Sequence, residues 1–257
     1  LQHWEDPAGN VLFSQSNGNA LLPTIEALYL LDMDDEWHDF SFLLKETSRI
    51  FSITSSNSFF QDVFLGMDTG LKVVRNKRSK VETLLADEIA EYLRGAVIRG
   101  VEEDTEGNIY FAREVDQWYR WNNNQKQLDT LALTDSLTNT PLQFSCSFNI
   151  QFDATKEYLW GISCNQNDEG QLHKMNPQTG KVITYTYHYQ FTDFYISQDE
   201  TIWLLYHSRI GTSGLLSFDP STGQFQPYFS PQNNILANTY PRIIIEDSER
   251  QLWIGTD

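Results

Sequence analysis

Polar and apolar positions along this chain repeat one arrangement: an Asp-led polar turn, then a short strand carrying a large apolar residue. The clearest copy is the stretch from Arg242 to Asp257. Arg242–Glu246 is a β-branched run, Asp247-Ser248-Glu249-Arg250 is a polar turn, and Leu252-Trp253-Ile254 is a second strand ended by Gly255. A lone hairpin is marginal in water and needs partners. Its partners are copies of itself. Asp6 to Asn10 leads to Val11-Leu12-Phe13, and Asp104 to Asn108 leads to Ile109-Tyr110-Phe111. Asp153 to Glu157 leads to Tyr158-Leu159-Trp160, and Ser197 to Glu200 leads to Ile202-Trp203-Leu204. A fainter copy runs from Ser55 to Gln61 and leads to Val63-Phe64-Leu65.

The marker residues Leu12, Phe64, Tyr110, Trp160, Trp203 and Trp253 are spaced by 52, 46, 50, 43 and 50 positions. After each hairpin except the last comes a third strand that ends in a polar turn, such as Gly170 to Pro177 or Gly214 to Pro220. A fourth follows at Lys181–Tyr185 and at Gln224–Tyr228. Four short strands per repeat of this length predict an all-β fold, a β-propeller of four-stranded blades. The blades fall at about 1–45, 49–85, 96–133, 144–189 and 191–229, with a partial blade at 240–257. The pattern opens inside one blade and ends after two strands of another. The sequence therefore reads as part of a longer protein, with further repeats expected after Asp257.

Several segments add detail. Trp4-Glu5-Asp6 reads as the end of an inner strand, which makes Leu12 a second-strand residue. Residues 84–94 hold good helix formers without a β-branched run, predicting a short helix ended at Gly95. Thr134–Pro141 reads as a polar loop, and Tyr206–Gly214 as an irregular connection. Asn176-Pro177-Gln178-Thr179-Gly180 and Asp219-Pro220-Ser221-Thr222-Gly223 are one turn used twice: Pro fixes φ and Gly supplies a positive φ. The recurring Asp of the hairpins, such as Asp104 and Asp247, is assigned to turn amides rather than to chemistry.

Composition and charge narrow the function. The 257 residues carry 18 basic and 35 acidic side chains, a net charge of −17, which argues against nucleic acid and anionic lipid as partners. No apolar run approaches the roughly 20 residues that span a bilayer. Five basic residues fall within nine positions, Lys72, Arg75, Lys77, Arg78 and Lys80. They read either as a hairpin tip kept soluble by charge or as a patch for an anionic ligand or partner. The acidic run Asp32 to Glu36 lacks the spacing of a calcium cage and reads as a solvated turn. Cys146 and Cys164 lie nearly opposite on the strands of one predicted hairpin. A disulfide there suits an oxidising compartment, but two buried free thiols are the simpler expectation because bridge geometry is demanding.

No nucleophile elbow, phosphate loop, dinucleotide fingerprint or zinc-protease motif is present, and the five His show no ligand spacing. No catalytic residue, metal or cofactor is assigned. Ligand candidates are the aromatic and basic residues near strand ends: Arg113, Trp118, Tyr119 and Trp121 in the third blade, Tyr187 and His188 in a Tyr185–Tyr189 aromatic cluster, and His207 with Arg209 in a connection. In the third blade Trp118 and Arg120 share one strand face, Tyr119 and Trp121 the other. Packing against neighbouring strands competes with ligand binding for these rings.

The stretch SFDPSTGQFQPYFSPQNNILANTYPRIIIEDSERQLWIGTD closely resembles the two-component regulator propeller repeat, sharpest over residues 191–257. Residues 49–74, 97–125 and 144–187 match more loosely, and 1–45 weakly. The resemblance implies an extracytoplasmic, periplasmic-side sensor of a bacterial hybrid two-component system. In such proteins two consecutive seven-bladed propellers are followed by a β-sandwich domain, a distant transmembrane helix and cytoplasmic kinase and regulator domains, so the blades here are expected to be part of a seven-bladed ring. It implies an oligosaccharide ligand, signalling as a homodimer, and no catalysis in this region. The alternatives from other classes are a propeller glycan lyase or hydrolase and an interaction scaffold without a ligand of its own.

Overall fold

The computed structural model describes residues 97–114, 117–208, 211–229, 233–247 and 249–257, and before them the backbone of eight strands. The predicted helix at 84–94, the segment around Trp4 and the acidic run at 32–36 lie outside the described residues.

The eight early strands are β1 (Leu12–Phe13), β2 (Ala20–Pro23), β3 (Leu28–Leu31), β4 (Trp37–Asp39), β5 (Ile50–Ser55), β6 (Val63–Met67), β7 (Gly70–Arg75) and β8 (Lys80–Thr83). The next sheet holds β9 (Ile98–Glu103), β10 (Ile109–Arg113), β11 (Trp118–Asn122) and β12 (Gln127–Thr130). Then come β13 (Thr134–Asp135), β14 (Cys146–Phe152), β15 (Leu159–Cys164), β16 (Gly170–Met175) and β17 (Lys181–Tyr187). The last two sheets are β18 (Gln190–Ile196), β19 (Ile202–His207), β20 (Ser213–Asp219) and β21 (Gln224–Pro227), followed by β22 (Pro241–Glu246) and β23 (Leu252–Thr256). Every sheet is an antiparallel meander in sequence order, except that β13 adds a parallel edge strand to β17. No helix occurs among the described residues.

The chain divides into two compact units, Leu1–Glu114 with Trp118–Asp129, and Thr130–Asp257 with Val115–Gln117. In the second unit, alternation along β19 explains the packing. Ile202, Leu204 and Tyr206 join one core with Trp160, Ile162, Leu172, Phe191, Phe194 and Phe218 from the preceding sheet and their own. Leu205, with Trp203 packed beside it, joins the other core, against Leu236 and Ile244. Successive side chains point to opposite faces, so each sheet buries both and neither is stable alone.

The hairpin Asp behaves as expected. Asp104 Oδ1 accepts from the Glu106 and Asn108 amides, both at 2.9 Å. Asp247 Oδ1 accepts from Glu249 and Gln251 at 2.9 Å each, and its Oδ2 takes the Trp253 Nε1–H at 2.7 Å. That indole bond, with the turn amides, holds the Asp247 carboxyl below its ordinary range. The two Pro-Gly turns match as well, with φ of +69° at both Gly180 and Gly223.

A feature with no local sequence signature is the backbone at the fourth turn position. It is left-handed in all four described hairpins: Gly107 at φ +81°, Lys156 at +56°, Glu200 at +66° and Arg250 at +65°. Only the first copy places Gly there, and side chains pay for this conformation. Glu200→Gly therefore raises stability by about 1 kcal/mol. Urea unfolding checks this: an unchanged or lower midpoint would remove the strain argument.

Leu12 lies on β1 and pairs with Leu21 on β2, and the strand expected before it lies outside the described residues. Three expectations need correction. Thr134–Pro141 is not a plain loop. β13 pairs in parallel with Lys181 and Val182, and Asp135 Oδ1 accepts from Leu137 and Thr138 amides. The Tyr206–Gly214 connection is shorter than expected: β19 reaches His207, β20 begins at Ser213, and Ser208 N donates to Thr212 O at 2.8 Å. Cys146 and Cys164 are not free thiols but a disulfide, because they are direct register partners with Cα atoms 5.3 Å apart.

Candidate functional site

First strands carry an irregularity close to the start in both units. Their pairing slips by one residue at Ile50/Ser52 of β5, opposite Ala112/Arg113 on β9, at Ser147/Ile150 of β14, at Phe191/Asp193 of β18 and at Pro241/Ile243 of β22. Such bulges re-aim side chains and raise local twist. The inserted residues include Arg99, Thr192 and Arg242. Arg99 bonds Glu114 at 2.8 Å, and Arg242 grips Asp257 in a bidentate pair at 2.7 and 2.8 Å.

In the second unit the bulges lie at the end of the sheets where second strands finish and first strands begin. Tyr187 ends β17, and His188 and Tyr189 form the link to β18. The His188 ring sits 4.2 Å from Tyr187 and 4.1 Å from Tyr189. Tyr206, near the end of β19, stacks on Tyr189 at 5.3 Å and meets Tyr187 edge-on at 5.7 Å. Gly214 makes this possible: a Cβ there would fall 2.5 Å from the Tyr206 hydroxyl. Burial, with the neighbouring phenols Tyr206 and Tyr189, pushes Tyr187 up to about 12, so it stays a neutral hydroxyl.

His207, the next residue of β19, points to the opposite face of the sheet and forms a second group at the same end. Its ring lies 4.4 Å from Tyr240, and the Arg242 guanidinium covers the Tyr240 ring at 4.2 Å. The Cys146–Cys164 bridge stands at the same end of the sheets, with Gln190 Nε2 3.7 Å from Cys146 Sγ. Carboxylates gather at the other end. Asp153, Glu157, Asp199, Glu200, Asp247 and Glu249 all belong to hairpins between first and second strands. The ring-bearing end is thus the less acidic one, and aromatic faces beside polar tips suit ligands that are apolar on one side and wet on the other.

The sequence candidates are distributed unevenly. Tyr187 and His188 come together in one ring group, whereas His207 packs on Tyr240 on the other face of β19, at the same end of the sheets. Arg209 lies outside the described residues. In the first unit Trp118 and Tyr119 are 0% and 1% exposed, and Tyr119 stacks on Phe111 at 5.4 Å. They belong to the blade interior and present no face to a ligand. Arg113 ends β10, whereas Trp121 pairs with Ile109 near the opposite end of the sheet, so the structure does not gather that set. Of the basic stretch, Lys72 and Arg75 lie on β7 and Lys80 on β8, with Arg75 opposite Lys80. Lys77 and Arg78 lie outside the described residues. Sequence reasoning missed Tyr206, Ser213 and Tyr240, whose roles depend on which strands meet.

His173 and Asp193 are among the polar groups buried in the second unit. His173 bonds Ser163 Oγ through Nε2 at 2.6 Å and Thr184 Oγ1 through Nδ1 at 3.0 Å, and burial drives its pKa down to about 3. Asp193 accepts from Asn149 Nδ2 at 2.8 Å and Ile244 N at 3.0 Å, yet burial pushes it up to about 7. Ser163 and His173 are wholly buried, so their contact is a cross-strand tie rather than a nucleophile and base. Among the described residues no three His, Cys, Asp or Glu side chains are grouped to hold a metal ion.

No protein-family model matches the sequence, and no curated protein matches it. Solved structures match the fold. YCF48 from Cyanidioschyzon merolae superposes with a TM-score of 0.63 at 16% identity over 96% of this chain and 76% of its own. Streptogramin B lyase does so with a TM-score of 0.59 at 12% identity over 96% of this chain and 90% of its own. The extracellular domain of a putative one-component system from B. thetaiotaomicron aligns at 14% identity with a TM-score of 0.46. That alignment covers 96% of this chain but only 39% of the neighbour, so the chain spans about two fifths of its length. The class these likenesses and the meander sheets define is the β-propeller.

Proposed function

We propose that this chain is an extracytoplasmic ligand-sensing propeller of a hybrid two-component signalling protein, with the aromatic rim of its second unit as the ligand face. The observation that carries the reading is a pair of aromatic groups at the end of the sheets away from the hairpin carboxylates: Tyr187, His188, Tyr189 and Tyr206 on one face of β19, and His207 with Tyr240 on the other. The resemblance of residues 191–257 to two-component propeller repeats supports the sensor role. The Cys146–Cys164 bridge supports an oxidising, periplasmic-side location, since such bonds persist there and are rare in reducing cytosol. Oligosaccharides suit the rim, because sugar rings pair an apolar face with hydroxyl edges. Binding acts by population shift: ligand contacts favour one arrangement of a homodimer, whose protomers also carry a second propeller and a β-sandwich, and the bias passes to the membrane helix.

A propeller lyase or hydrolase is the second reading, favoured by the oriented imidazole of His207. Isothermal titration of the purified chain against gluco-, xylo-, manno- and galacto-oligosaccharides, with product analysis of the same samples, separates the two. Binding without turnover is expected. Cleavage of any sugar would overturn the sensor reading in favour of the enzyme.

A further inference from the structure

The hydrogen-bond chain behind His207 fixes its tautomer. Ser213 Oγ lies 2.6 Å from the Thr239 carbonyl oxygen and 2.8 Å from His207 Nδ1. A carbonyl only accepts, so the one hydroxyl hydrogen of Ser213 goes to Thr239. Were it turned toward the imidazole, two oxygen lone pairs would face each other at 2.6 Å. Ser213 must therefore accept from His207, which puts the ring hydrogen on Nδ1 and leaves Nε2 a bare lone pair in the neutral ring.

Ser213 is itself immovable. It is fully buried, and its carbonyl accepts from Asn234 Nδ2 at 2.6 Å. The far side of the imidazole rests on Tyr240, which is clamped by the Arg242 guanidinium and by the bond from Asp257 N to Tyr240 O at 3.1 Å. Among the described residues Nε2 has no hydrogen-bond partner, and His207 is only half-buried.

From this geometry we infer that His207 is a preset hydrogen-bond acceptor for a hydroxyl of a neutral ligand, with Ser213 as its positioning residue. The inference rests on the reading of the rim as the ligand face and sharpens the ligand class. A lone-pair acceptor takes an O–H and repels a carboxylate or phosphate oxygen. Among the described residues the cation on the adjoining Tyr240 ring, Arg242, is already neutralised by Asp257. Neutral oligosaccharides should bind and uronate oligosaccharides should not.

Imidazole ¹⁵N spectra of the whole chain, with His207 assigned through His207→Phe, test this without knowing the natural ligand. The probes are the neutral oligosaccharides above, oligogalacturonate, and phenol as a bare O–H donor. The free protein should show His207 as the Nδ1–H tautomer, and Ser213→Ala should turn it into a tautomer mixture. A bound neutral sugar should move the Nε2 resonance. His207→Phe, which keeps a ring against Tyr240, should weaken binding by about tenfold. An Nε2–H tautomer in the wild type, unchanged affinity in His207→Phe, or tighter binding of oligogalacturonate would overturn the inference. If phenol moves Nε2 but no sugar binds, the acceptor stands and the oligosaccharide reading falls. If neither moves it, both fall.

Discussion

Reduction of the Cys146–Cys164 bridge lowers the stability of the chain by about 3 kcal/mol, which for a protein of this size is a fall in Tm of roughly 6–12 °C. The bridge closes a hairpin whose two cysteines are 18 residues apart. Cutting it returns that loop-closure entropy to the unfolded chain. Its place in the fold gives the loss a functional direction. Cys164 is followed by the turn that leads to Gly170, where a Cβ would lie 2.4 Å from the Tyr189 carbonyl, so the β15–β16 hairpin and the start of β18 are in close contact. Gln190 reaches Cys146 from the same segment. Reduced protein should therefore loosen Tyr189 and Gln190 first. The Cys146→Ser/Cys164→Ser double variant and dithiothreitol-treated wild type should melt alike. Thiol labelling of the unfolded, unreduced chain should find no free cysteine. Equal melting with and without reductant, or two labelled thiols, would dispose of the bridge as a stabilising element.

How much of this was legible in the sequence depends on how local each cause is. The hairpins were, because one Asp accepting from amides two and four residues on is a property of five consecutive residues. The aromatic markers from Phe64 onward fall on second strands for the same reason: strand alternation needs only neighbours along the chain. The strand-start bulges were not legible, since an extra residue is defined by what stands opposite it. Nor was β13, whose two polar residues become a strand only because Lys181 and Val182 offer an unpaired edge. The rim was half legible. Tyr187, His188 and His207 drew attention as rings near chain breaks. The tautomer of His207 depends on Ser213 and Thr239, and its ring support on Tyr240, segments joined only by folding. In the third blade the same aromatic signal led to Trp118 and Tyr119, which are core. An alternating strand pattern tells which residues share a face, not whether that face is covered.

Asp193 and His173 should give the protein opposing pH sensitivities that mask each other. Asp193 ties three successive first strands together: it stands on β18 and takes N–H groups from Asn149 on β14 and Ile244 on β22, besides the amide of Phe194. No charged group offsets its burial, so its carboxyl lies near 7 in the fold against an ordinary 3.8. A pKa raised by folding contributes stability that is fully present below 3.8 and is lost as pH rises through about 7. His173 works in the other direction. Buried as a neutral ring with a folded pKa of about 3 against 6.5, it costs stability as pH falls below 6.5, because the unfolded imidazole takes up a proton that the folded one refuses. Between about pH 4 and 6.5 the two slopes, each up to about 1.4 kcal/mol per pH unit, have opposite signs and largely cancel. The surface carboxylates held low by turn bonds, such as Asp219 and Asp247, lose their contribution only below that window. Wild-type stability from urea unfolding should thus be nearly flat there. Asp193→Asn should lose roughly 2–4 kcal/mol at pH 7, since an amide cannot accept from three donors as a carboxylate does. It should also become progressively less stable toward pH 4, exposing the histidine. His173→Gln, which can keep a bond to Ser163, should show the reverse slope and gain stability on acidification. If both variants kept the wild-type slope, neither buried group would titrate as its surroundings dictate, and the tie at Asp193 would be an ordinary hydrogen bond with no proton linked to folding.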